Sequence, residues 1–222
     1  MLLLLGNIKT LINFAHLKAM VKPLLPSSTA EKPFLDLVYP VPSSLLSIFQ
    51  TQAQQKIQAE GWAQQGRHVE VKINNFVNCW TTEEAFKQIL IKRKVWFRYR
   101  GLYFGDALGA GADFTVKIDG KECTLGLRSI SADSLNKWKT VPYPDDRFQH
   151  EKEKIADFHV VCHNENGLVS FFGVISKAEL LSELENAERK YSPQNQELFR
   201  VVPLEMFEFE ELLRLLEKMT SI

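Results

Sequence analysis

The sequence predicts an α/β domain with a mixed central β-sheet flanked by helices. Two observations lead there. Runs rich in β-branched and aromatic residues interleave with runs of helical period across residues 43–222. Two strand pairs double back through tight turn sequences, Asp119-Gly120 and 164–167, which favours a mixed sheet over an all-parallel one. Composition agrees: 222 residues, 45% hydrophobic and 24% charged, are enough for one domain with its own core.

Residues 1–42 read as an N-terminal helix and a Pro-rich linker ahead of that domain. The apolar run at residues 2–5 is too short to span a bilayer and has no preceding positive charge, so neither a transmembrane segment nor a signal peptide is expected. Residues 7–21 carry a weak helical period. Pro23, Pro26, Pro33, Pro40 and Pro42 make residues 22–44 an extended connection. Ser43 or Ser44 then caps a helix with Leu45, Leu46, Phe49, Ala53 and Ile57 on one face and Gly61 at its end.

Residues 67–73 alternate in polarity, which predicts a strand, and Asn74-Asn75 predicts a turn. Thr81 and Glu84 have capping-box spacing and open the next helix, whose apolar face is Ala85, Phe86, Ile89 and Leu90. A strand follows near 99–104, then a Gly-rich loop over 105–111. Phe114–Ile118 and Lys121–Ile130 form a hairpin about Asp119-Gly120, where both central residues need positive φ. A short helix covers 132–139 and a Pro-rich loop 141–148. Strands follow at 157–162 and 168–175. Ser176 and Glu179 form a second capping box, opening a helix to about Arg189. A late strand at 199–204 and an amphipathic helix at 210–218 complete the chain.

Charge and cysteines narrow the function classes. Lys+Arg and Asp+Glu are both 27, so a nucleic-acid binder must gather its cations on one face. Residues 85–105 do so in sequence. Lys87, Lys92, Arg93, Lys94, Arg98 and Arg100 are interleaved with Trp96, Phe97, Tyr99 and Tyr103, and no acid interrupts them. Clustered cations suit phosphates and aromatic rings stack on bases; a solvated face is the competing reading. Cys79, Cys123 and Cys162 are widely spaced, which fits a reducing, cytoplasmic setting and excludes a disulfide framework or a zinc knuckle. His159, His163 and Asp157 share one strand but are too spread for one ion, so the histidines are expected to be satisfied structural residues. Gly105, Gly109 and Gly111 lack the Gly-Lys-Ser/Thr of a phosphate loop.

Asp113 opens the first strand of the hairpin, and Gly126-Leu127-Arg128 lies on its second strand just before a helix. This layout, over residues 80–175, resembles the PD-(D/E)XK nuclease superfamily. There an aspartate starts one hairpin strand, and the next carries an acid, a spacer and a lysine. The resemblance implies a restriction-endonuclease-like fold, with Mg²⁺ or Mn²⁺ held by carboxylates for hydrolysis of DNA phosphodiester bonds. Asp113 matches the first aspartate. Gly126 offers no ligand where the family has an acid, and Arg128 stands for the lysine but keeps its proton. Glu122 shares the alternate face of that strand and Glu84 lies on the preceding helix, so these are the second-acid candidates. Asp113 and Glu122 are the expected metal pair, and Lys137 and Lys139 could replace the lysine. Glu83 and Asp106 are further acids nearby. Lys92, Arg93, Lys94, Arg98 and Arg100 are the expected DNA contacts, with no membrane partner and a homodimer left open. The alternatives are an inactive nuclease-like domain that binds nucleic acid or a protein, and an interaction protein with no nucleic-acid role.

Overall fold

A computed structural model describes residues 36–59, 68–101 and 112–219. The expected helix at 7–21, Gly61, Asp106 and the loop at 105–111 lie outside the described residues.

The hairpin lies within the larger of two sheets. Strand β3 (Phe114–Ile118) turns through Asp119 and Gly120, at φ 48° and 80°, into β4 (Lys121–Ile130). Strand β2 (Phe97–Tyr99) pairs antiparallel with β3, and β6 (Phe158–Glu165) runs parallel to β4. Strand β7 (Leu168–Ser176) returns along β6 through Asn166-Gly167, both again at positive φ. A short edge strand, β1 (Val38–Pro40), pairs with β7 from within the stretch expected to be a linker. The six-stranded mixed sheet therefore has the order β1-β7-β6-β4-β3-β2.

Helix α1 (Ser43–Ala59) packs on helix α2 (Val69–Lys92), which crosses β1, β4, β6 and β7. Of the expected strand at 67–73, the residues from Val69 onward are part of α2, and so is the expected turn at Asn74-Asn75. Alternation in 68–73 is outweighed by the longer series Ile73, Phe76, Val77, Trp80, which recurs at helical spacing and packs with Phe49 of α1. Thr81 and Thr82 open no helix; their hydroxyls donate back to Val77 O at 2.6 Å and Cys79 O at 2.8 Å. Phe86 of α2 meets Phe114 and Phe171 at ring-centroid distances of 5.4 and 5.2 Å, tying the helix to the sheet. Burial of each such ring contributes roughly 1.5–3 kcal/mol.

After β4, a turn of π-helix (Ser134–Trp138) leads into a second sheet of three strands, in which Glu197–Pro203 lies between Thr140–Pro144 and Glu188–Ser192. The expected loop at 141–148 is instead strand β5 (Thr140–Pro144) and helix α3 (Asp145–His150). Pro142 and Pro144 are tolerated because β5 is an edge strand. Helix α4 (Lys177–Asn186) starts at the expected Ser176/Glu179 capping box. It ends short of Arg189, leaving Glu188–Ser192 as β8 beside β9 (Glu197–Pro203). Helix α5 (Phe209–Lys218) closes the chain and packs on β7. Asp145 links β9 to α3: its carboxylate accepts from Arg200 Nε at 2.5 Å, and both residues are buried. Among the described residues no helix is long and apolar enough to cross a membrane.

Candidate functional site

Register fixes the geometry around Asp113. Phe114 stands opposite Leu125, so Asp113 falls beside Gly126 and Leu127. The Leu127 N–H donates to Asp113 Oδ2 at 2.7 Å. Arg100, just past β2, donates through Nη2 to Asp113 Oδ1 at 3.1 Å. The same Nη2 lies 3.7 Å from Glu83 Oε1 of α2. Glu83 Oε2 in turn accepts from the Tyr99 hydroxyl at 2.7 Å. Burial beside Glu83 pushes the Tyr99 phenol well above its ordinary range, so it remains a donor. The side chains of Glu83, Asp113 and Arg100 are only 6%, 18% and 21% exposed. The guanidinium thus bridges two carboxylates in a poorly solvated site.

Gly126, where the resemblance expects an acid, faces His159 across the β4–β6 pairing. A Cβ at Gly126 would lie 2.9 Å from both Cε1 and Nδ1 of the His159 ring. His159 is 2% exposed, so the ring has little room to yield. Glycine here answers to a close approach, which is one of the few reasons for glycine inside a strand. The Tyr143 ring of β5 packs edge-on to His159 with centroids 6.0 Å apart, and the Arg128 guanidinium sits 4.3 Å from the Tyr143 centroid. Burial lowers the Arg128 pKa from its usual value, and its Nε has no hydrogen-bond partner among the described residues. Burial, followed by Arg128, Arg147 and Lys177, holds His159 neutral well below the ordinary histidine range. Neither His159 ring nitrogen has a hydrogen-bond partner among the described residues, contrary to the expected satisfied histidine. His163 does meet that expectation, through Ile130 O at 2.8 Å.

The remaining sequence candidates are dispersed. Glu122 stands opposite Lys117 and bonds Arg98 Nη2 at 2.6 Å on the surface. Between Glu122 and Gly126 the strand rises about 13 Å at ~3.3 Å per residue, so Glu122 and Asp113 are not brought together. Glu84 pairs with Lys87 and accepts from Gln88 at 2.7 Å. Lys92 pairs with Asp36 at 3.1 Å. Arg98 and Arg100 are engaged by Glu122 and by Asp113 with Glu83. Of the expected DNA contacts, Arg93 and Lys94 are the two with no carboxylate partner among the described residues. Lys117, absent from the expected set, lies 4.5 Å from the Trp96 ring centroid, with Arg98 at 5.9 Å. Lys137 and Lys139 are exposed on the π turn.

A divalent ion does not fit these residues. Asp113 has Arg100 on one oxygen and the Leu127 amide on the other, Gly126 has no donor, and Glu122 is too far. No group of three or more His, Cys, Asp or Glu side chains among the described residues could hold a metal. In the sequence Glu83 is only a nearby acid and Arg100 reads as a phosphate contact, while the contact of His159 with Gly126 joins residues far apart in the chain. The isolated glycine inside β4 was the available signal for that last contact. Comparisons with protein-family models, curated proteins and solved structures found no match.

Proposed function

We propose that the chain is a nuclease-like domain, resembling the PD-(D/E)XK superfamily, that binds DNA without hydrolysing it. The observation that carries this reading is the Arg100 guanidinium between Asp113 and Glu83. A cation fixed by the chain itself compensates both carboxylates and leaves no incentive for Mg²⁺ to shed its waters there. The restriction-endonuclease-like layout is supported by Asp113 opening β3, by the return along β4 and by the helical turn that follows. Binding is supported by Arg93, Lys94 and Lys117 around the α2–β2 turn, none with a carboxylate partner among the described residues, and by Trp96 beside Lys117. The hydrolytic alternative draws on the same placement of Asp113, and requires Arg100 to leave both carboxylates.

Titration of labelled duplex DNA at several ionic strengths tests the binding. Affinity should fall with salt. Lys92→Ala/Arg93→Ala/Lys94→Ala should weaken binding and flatten the slope by about 0.9 for each phosphate that is no longer neutralised. An unchanged affinity and slope in that variant would remove the patch from the function.

A further inference from the structure

We propose that Trp138, between Lys137 and Lys139 on the π turn, is a stacking platform for an unpaired base of a nucleic-acid strand. The inference rests on the DNA-binding reading and adds a second contact that engages single strands. Trp138 is 54% exposed; among the described residues the only other large aromatic so exposed is Tyr191. An indole offers roughly 150–250 Å² for burial, so leaving most of it in water on an ordered element points to a partner.

The element beneath is held firmly. Leu135 is fully buried, and its N–H donates to Ser131 O at 2.9 Å. The Ser134 N–H donates to Ser131 Oγ at 3.1 Å. The Lys139 N–H reaches back to Ser134 O in the π pattern, and Lys139 O accepts from Leu204 at 2.8 Å. Lys139 adopts φ 53°, a conformation uncommon for a residue with a side chain. The turn therefore displays the indole from a rigid base, and π turns recur at functional positions.

Charge selects the partner. Lys137 and Lys139 are both exposed and have no carboxylate partner among the described residues, while Asp133 is the only acid in residues 131–139. Two ammonium groups astride an exposed ring suit phosphates flanking a base. Bases inside a duplex are stacked on each other, so the ring reaches one only where the strand is unpaired. Lys117 stands opposite Glu122, and from there to Ile130, where β4 ends ahead of the π turn, the strand rises roughly 26 Å at ~3.3 Å per residue, so the two contacts belong to separate elements and can be altered one at a time.

The test is fluorescence anisotropy of a labelled oligothymidine and of a blunt duplex of equal length, using the full chain. Trp138→Ala should weaken single-strand binding about tenfold, within the range for one stacked base, and leave duplex binding unchanged. Lys137→Ala and Lys139→Asn should each weaken it less, and asparagine keeps the positive φ accessible. An unaltered melting temperature in Trp138→Ala shows that the fold survives. Should Trp138→Ala bind the single strand like the parent, or lose duplex binding equally, the platform is wrong although DNA binding stands. Failure of the unaltered protein to bind either DNA overturns the binding reading and the platform with it.

Discussion

Asp113 and Gly126 are neighbours across one hairpin, yet they disfavour a metal ion by different physics. At Asp113 the negative charge is retained and compensated: Arg100 and the Leu127 amide occupy its two oxygens, and Glu83 shares the guanidinium. At Gly126 no charge is offered, because the His159 ring lies where a side chain would begin. One end is electrostatic and modestly solvated, the other steric and dry. A hairpin of the expected shape is therefore compatible with quite different chemistry, decided by residues from β2, α2 and β6 that contact it.

Removal of Arg100 is the strongest way to break the contrast. Arg100→Ala removes the guanidinium from between Asp113 and Glu83 in a site of low exposure, and should cost about 3 kcal/mol in chemical denaturation, the lower end for a broken buried pair. A cost near zero would mean that the bridge is not a structural bond. The steric end should respond less. Gly126→Ala should cost about 2 kcal/mol by overpacking against His159. Combining it with His159→Ala should cost less than the sum of the two single changes, because the clash is then relieved. Strict additivity would show that the ring is not what excludes a side chain.

The pH dependence sharpens the same difference. His159 has a folded pKa below its unfolded value of about 6.5, so its neutral form contributes stability above that pH. That contribution is lost as pH falls below 6.5 toward the folded value. The melting temperature should drop over this window, and His159→Phe should reduce the drop. An equal drop in His159→Phe would assign the acid sensitivity to another group.

Local chemistry made much of the fold legible. Asp119-Gly120 and the Asn166-Gly167 part of 164–167 name turns that require positive φ, and Ser176 with Glu179 forms its capping box within a few residues. Long-range packing hid the rest. Residues 68–73 alternate like a strand, but their fate was decided by burial of Ile73 and Trp80 against α1. Pro142 and Pro144 read as a loop because nothing local says that β9 lies alongside. The site divides in the same way. Asp113 was legible from its place before β3. Its tie to Arg100 and Glu83 was not, since it depends on how α2 and β2 cross the hairpin.

A guanidinium fixed by the chain stands between the two carboxylates. Mn²⁺ titration followed by electron paramagnetic resonance, with a plasmid-cleavage assay on the same samples, tests it most directly. No saturable Mn²⁺ binding that depends on Asp113, and intact plasmid with Mg²⁺ or Mn²⁺, are the results the account predicts. Stoichiometric Mn²⁺ binding and metal-dependent cleavage, both lost in Asp113→Asn, would contradict it.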